Sequence, residues 1–99
     1  MKGKLDITPK ANAVLVGIWD YTAIERGIAA ADAYVTDLDT VMRRLLTYPR
    51  LGADAAVIRQ GYRCIRSGSH AIYYIAHQRG IEVMRVLHTS MDAKARLGD

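Results

Sequence analysis

The side chains able to do acid–base, nucleophilic or ligand chemistry are few and crowd into the second half of the chain: Cys64, His70, His77, His88, Glu82 and a series of arginines. His70 and His77 are separated by an odd number of residues. That spacing puts them on opposite faces of one extended strand, so they do not share a metal, and His88 falls in a later run. Each reads more readily as a surface or half-buried strand histidine than as a general base. Cys64 stands alone, which excludes an internal disulfide and any site built of several thiolates, and it reads as a small buried hydrophobe. Glu25 and Glu82 are the only glutamates, and no P-loop, glycine-rich dinucleotide turn or pair of carboxylates at a loop end is present. No cofactor and no metal are expected.

The arginines carry the stronger signal. Between Val57 and His88, Arg59, Arg63, Arg66, Arg79 and Arg85 face a single acid, Glu82, so the net charge of +4 is concentrated there. The planar guanidinium fork suits carboxylate and phosphate, which points to an acidic protein partner or a nucleic acid; a solvated basic sheet face explains the same pattern with no ligand. A plain nucleic-acid-binding module lacks a recognition helix, because the strongest helical segment is acidic through its first half. At 99 residues, 51% hydrophobic and 24% charged, the chain reads as one folded domain spanning residues 1–99. It contains neither a membrane-spanning run nor a secretory h-region and reads as cytoplasmic and soluble.

Hydrophobic periodicity supplies the elements that must position these groups, and it switches once, from helical to alternating. Lys4–Ile7 reads as a short strand with Leu5 and Ile7 on one face, and Thr8-Pro9 as a helix start. Ala11, Val14, Leu15, Ile18 and Thr22, with Tyr21 at the margin, then recur at helical spacing to Arg26, where Gly27 ends the helix. Ile28, Ala31, Tyr34, Val35, Leu38, Val41, Met42 and Leu45 mark a second helix that Pro49 terminates, so the two form an antiparallel hairpin. Trp19 and Tyr34 lie on faces expected to meet within it. Pro49 to Gly61 reads as loop. Tyr62–Arg66, His70–His77 and Ile81–His88 read as an antiparallel meander, with Tyr73 and Tyr74 on opposite faces. In the last run Ile81, Val83, Arg85 and Leu87 alternate with Glu82, Met84, Val86 and His88. Both sets include apolar residues, so a partner or the C-terminal tail is expected on the face that the helices leave open. Ser90 is placed to cap a last helical turn through Asp92–Leu97 that Gly98 ends. The fold class is α+β: an N-terminal strand, a helix hairpin on an antiparallel sheet of about four strands, and a short helical tail.

Five segments, in order, carry a resemblance: Gly17-Ile18-Trp19-Asp20-Tyr21-Thr22, Tyr48-Pro49-Arg50-Leu51-Gly52, Ile58-Arg59-Gln60-Gly61-Tyr62-Arg63, Ser67-Gly68-Ser69-His70-Ala71-Ile72-Tyr73-Tyr74, and Ile81 through Asp92 with its Arg-Val-Leu-His core. Together they resemble the ParE toxins of bacterial type II toxin–antitoxin modules, over nearly the whole chain. Arg26-Gly27 departs from the Trp-Gly often found in the family. The resemblance implies the RelE/ParE fold. It also implies a poison of DNA gyrase that favours the cleaved-DNA complex, an inhibitor rather than an enzyme. The implied partner is a ParD-like ribbon-helix-helix antitoxin that binds operator DNA, so that the toxin meets the operator only indirectly.

Within the same fold, RelE-type ribosome-dependent mRNA nucleases resemble one another in an Arg-Leu-Val-Tyr strand. The matching stretch here is Ala71-Ile72-Tyr73-Tyr74, so the phosphate-stabilising cation is replaced by Ala71. The expected antitoxin-binding residues are Trp19, Tyr34, Leu38 and Met42 as groove lining, with Arg59, Arg63 and Arg66 as charge partners. Those expected to carry toxicity are Arg85, His88, Met91, Asp92 and Arg96.

Overall fold

The computed structural model describes residues 3–97. They form β1 (Lys4–Ile7), α1 (Pro9–Arg26), α2 (Ile28–Thr47), β2 (Ala53–Asp54), β3 (Arg63–Ser67), β4 (His70–His77), β5 (Gly80–His88) and α3 (Ala93–Leu97); the expected stop at Gly98 lies outside the described residues. The expected α+β order holds, with helices first and the meander after.

Thr8 joins the first strand to the first helix through three hydrogen bonds. Its Oγ1 accepts the Ala11 N–H at 3.1 Å and donates to the Met84 carbonyl at 2.8 Å, while its own N–H donates to the Val83 carbonyl at 3.0 Å. A side-chain cap of this kind contributes about 1 kcal/mol, and here it also ties α1 to β5. Gly27, at φ +96°, is the whole link between the helices: its N–H donates to the Ala23 carbonyl and α2 starts at the next residue. Trp19 Nε1–H donates to Asp32 Oδ1 at 2.9 Å, bonding one helix to the other. The hairpin lays Ala11, Leu15 and Ile18 of α1 and Leu38, Met42 and Leu45 of α2 on the sheet residues Ile72, Tyr74, Ile81, Val83 and Val86. Tyr21 and Ile28, expected in these stripes, are 68% and 64% exposed, because they flank the Gly27 turn beyond the last buried positions, Ile18 and Ala31.

The sheet has five strands in the order β1-β5-β4-β3-β2. The strand beyond the expected count is β2, two residues from the segment read as loop, paired antiparallel with β3. β1 runs parallel to β5, from Lys4 opposite Gly80 to Ile7 opposite Val83. The strict alternation expected along β5 does not survive. Tyr74 pairs with Val83 but Tyr73 pairs with Arg85, so Met84 is an inserted residue, a β-bulge. The extra residue shifts the faces of everything after it. Val86 joins Ile81 and Val83 under the helices, and Leu87 joins Met84 on the other side.

That other side is a second core, in which Ala71, Tyr73 and Leu87 are covered by Ala55 and Tyr62 from the β2–β3 segment and by Leu97 from α3. The tail therefore supplies part of the cover, and the segment after β2 supplies the rest. Asp92, not Ser90, caps α3: its Oδ1 accepts the Ala95 N–H at 3.2 Å. Ser90 is engaged elsewhere, on His88.

A cationic groove between the hairpin and the end of the sheet

The two tyrosines at the centre of β4 point apart, as the alternation requires. Tyr74 is fully buried under the helices, where its hydroxyl donates to the Pro49 carbonyl at 2.8 Å and accepts the Gly52 N–H at 2.9 Å, fixing the chain where it leaves α2. Tyr73 faces the second core beside Cys64, the residue opposite it on β3. Burial pushes the Cys64 thiol up, against the lowering influence of the Tyr73 hydrogen bond and the Arg66 charge. Burial also raises Tyr73, helped by Cys64. Neither group is poised as a nucleophile.

A groove of about 580 Å³ opens between the outer face of α1, Tyr34 of α2, and the last residues of β5. Its apolar lining is Val14, Ile18, Val86, Leu87 and Met91. Its charged lining is Arg26, Arg85 and Arg96, with no carboxylate among the described residues. Arg85 Nη1 donates to the Arg96 carbonyl at 3.4 Å, while its buried Nε finds no partner. A guanidinium so placed, without a counter-ion, is electrostatically matched to an anionic occupant.

At the rim of the groove a polar chain joins α2, β4 and β5 with the turns beside them. The Ser69 N–H donates to Tyr34 Oη at 2.9 Å, Tyr34 Oη lies 2.6 Å from His70 Nδ1, and the His70 and His88 rings meet edge to face at 5.3 Å between centroids. Ser90 closes the chain, its Oγ 2.7 Å from His88 Nδ1 and its N–H donating to the same nitrogen at 3.1 Å. Gly68 lets Tyr34 in: with φ at +59°, a Cβ there would stand 2.8 Å from the tyrosine ring. Burial holds His70 below the ordinary imidazole value, and the neighbouring His88 lowers it further.

The expected site residues divide by place. Tyr34, Arg85, His88, Met91 and Arg96 come together in this groove, although Tyr34 was assigned to one partner and the others to a second. Asp92 is a helix cap outside it. Leu38 and Met42 are 0% and 2% exposed within the main core, so they form the floor on which the helices pack rather than an accessible lining. Trp19 bonds to Asp32 between the helices instead of meeting Tyr34. The three arginines expected to act together are apart. Arg63 holds the Gly52 and Arg50 carbonyls, Arg59 reaches the Leu97 carbonyl at 3.2 Å and lines a smaller cavity of about 410 Å³, and Arg66 is exposed on the α3 face of β3. His70, Arg26 and the exposed Tyr21 were missed as groove residues. Arg26 and Tyr21 sit on the α1 side away from the buried stripe, a position that a helical projection displays; His70 gives no such signal.

With this geometry in view, similarity to known proteins becomes interpretable. The sequence profile of the family described as "ParE toxin of type II toxin-antitoxin system, parDE" matches residues 5–93. The chain is similar to a protein named Toxin ParE1 from Mycobacterium tuberculosis, 37% identical over 98% of this chain and 100% of that one. It is similar to another Toxin ParE1 from Caulobacter vibrioides, 36% identical over 93% of this chain and 95% of that one. A solved structure described as "Chromosomal ParDE TA system from P. aeruginosa" superposes with a TM-score of 0.74 at 21% identity, covering 88% of this chain and 96% of that one, and so shares the fold. The five segments, the β1-α1-α2-meander order and the full-length likeness agree, and the chain belongs to the ParE toxin family of type II toxin–antitoxin systems.

Proposed function

We propose that the chain arrests growth by poisoning DNA gyrase, stabilising the enzyme's cleaved-DNA complex, and that a ParD-like antitoxin neutralises it by laying an acidic, amphipathic C-terminal segment into the groove. Membership of the ParE family supports the toxin half of this reading. The observation that carries the partner half is the lining itself: three arginines, the apolar Val14, Ile18 and Met91, and no carboxylate among the described residues. A nucleic acid would satisfy the arginines but not Val14, Ile18 and Met91, whereas a segment of alternating acids and hydrophobes satisfies both. The antitoxin's ribbon-helix-helix part would hold the operator, leaving this chain without direct DNA contact.

Arg85, His88, Met91 and Arg96, proposed as the toxicity residues, line the same groove, so an occupant of the groove would cover them and inhibit by masking. Poisoning rather than phosphodiester cleavage is supported by Ala71, which is 5% exposed and faces the second core, so no cation projects from that point of β4.

The deciding experiment incubates the purified chain with gyrase, plasmid DNA and ATP, denatures the mixture and scores trapped linear DNA, beside a ribosome-programmed mRNA cleavage assay. Linear DNA accumulating with dose, abolished by prior addition of the antitoxin and with mRNA intact, is the expected result. Cleaved mRNA with undisturbed supercoiling would replace this reading with a nuclease.

A further inference from the structure

The polar chain beside the groove fixes where its protons lie. An N–H group has only a proton to give, so the Ser90 amide at 3.1 Å makes His88 Nδ1 an acceptor and leaves the neutral ring's proton on Nε2. Tyr34 Oη already accepts the Ser69 N–H, and its own proton is directed to the nearest acceptor, His70 Nδ1 at 2.6 Å. Both rings therefore spend Nδ1 on the protein and keep Nε2–H for whatever enters the groove. Two N–H donors side by side with Arg85 and Arg96, and no acid in the lining, form a set made for an anion.

We propose that His70 and His88 form a carboxylate-recognition site in the groove, both imidazoles held as Nε2–H donors by Tyr34 and Ser90, and that it takes an acidic side chain of the neutralising segment. This rests on the reading that an acidic antitoxin segment occupies the groove, and it adds which groups read that acidity. A carboxylate is favoured over a phosphodiester because the surrounding wall is apolar, from Val14 to Met91. It also makes docking proton-linked. The titratable groups that line the groove with the pair are Tyr34 from α2, Arg26 and Tyr21 from α1, Arg85 from β5 and Arg96 from α3, and none of them stabilises an imidazolium. In the free chain burial and His88 hold His70 below the ordinary imidazole value. A docked carboxylate favours the charged ring, so binding takes up a proton. The extra affinity is full below the free His70 value and is lost as pH rises through the value in the complex.

The test is nuclear magnetic resonance of the ring nitrogens in the full chain, followed by propionate as a small carboxylate probe against chloride at equal ionic strength. Both free rings are expected in the Nε2–H form. Propionate should shift both sets of ring signals in a saturable way and raise the His70 midpoint, and H88N should abolish the response. In H70N and H88N the side-chain amide keeps the bond made by Nδ1 and has nothing at Nε2. Antitoxin affinity, measured by calorimetry, should tighten about fivefold between roughly pH 7.5 and pH 6. That slope should be flat in a folded H70N/H88N double variant. Rings found in the Nδ1–H form, or no propionate response beyond chloride, would overturn the site even if the antitoxin neutralises the chain. An unchanged pH slope in the double variant would do the same. An antitoxin that fails to bind at any pH would instead remove the antitoxin reading, and the site with it as a segment-reading device, however the propionate arm came out. Because His88 is exposed, H88N keeps the test available should H70N fail to fold.

Discussion

Tyr74 shows how much one atom can decide. Its hydroxyl is the shared partner of the Pro49 carbonyl and the Gly52 N–H, and Gly52 is buried against it. Tyr74→Phe keeps the ring in the core but strands a buried amide, a loss of about 1–3 kcal/mol that urea denaturation will read as a lower midpoint with an unchanged slope. Leu38 makes the complementary case. The helical pattern identified it correctly as apolar and periodic but could not say whether its face was a core or a groove. Because Leu38 is fully buried, Leu38→Ala should cost about 2–5 kcal/mol. A Leu38→Ala chain of unchanged stability that had lost antitoxin affinity would return it to the groove.

At the scale of elements, the bulge in β5 is the decisive feature. The register set by the Gln78-Arg79 turn pairs His77 with Gly80 and Tyr74 with Val83; carried on without interruption it would set His70 opposite Leu87. The inserted Met84 advances the pairing by one residue and brings His88 opposite His70. Deleting Met84 should therefore remove the bulge and keep the partners: Arg85 would follow Val83 directly and stay opposite Tyr73, Val86 opposite Ile72 and His88 opposite His70. The expected outcome is a chain that loses the Thr8–Met84 hydrogen bond and the Met84 side chain beside the second core, a cost of about 1–3 kcal/mol, and that still shows the His70–His88 ring contact by nuclear magnetic resonance. A Met84-deleted chain in which that contact is lost would show that the register beyond the bulge is fixed elsewhere. The bulge sits where the first strand ends, and the Thr8 hydroxyl bonded to the Met84 carbonyl holds the inserted residue to the start of α1.

The molecule as a whole is a sheet with two unequal covers. The helix hairpin buries one face. The other is closed by short pieces, the β2–β3 segment and the five residues of α3, anchored by Leu97 at 2% exposure and by Arg59 on its carbonyl. Leu97→Ala should loosen this cover, lowering stability by about 2 kcal/mol or more and raising amide exchange at Tyr73 and Leu87 while the hairpin-side core stays protected. Uniform loss of protection on both faces would show that the two cores unfold as one. The same architecture governs any truncation of the tail: removing Leu97 takes away a core residue together with Arg96 of the groove, so toxicity lost on deletion has to be compared with an Arg96→Ala chain whose core is intact.

The amino-acid sequence by itself determined the order of the elements, because a switch from helical to alternating periodicity, a Thr-Pro start, a lone Gly27 and a Pro49 stop are local signals with local physical causes. It also determined where the positive charge is concentrated, since five arginines against one acid between Val57 and His88 are visible without a fold. Several residues of the groove were legible too: Arg85, His88, Met91 and Arg96 lie within one short C-terminal stretch, so their proximity needed little folding. What only the tertiary structure decided is which distant residues join them. Tyr34 and His70 reach the groove through a hairpin laid across a sheet and a register displaced by one inserted residue. The fate of Arg59, Arg63 and Arg66, neighbours in sequence but dispersed among separate carbonyls and faces, follows from the same cause. Strand alternation separates residues that sequence places together, and sheet pairing unites residues that sequence holds far apart.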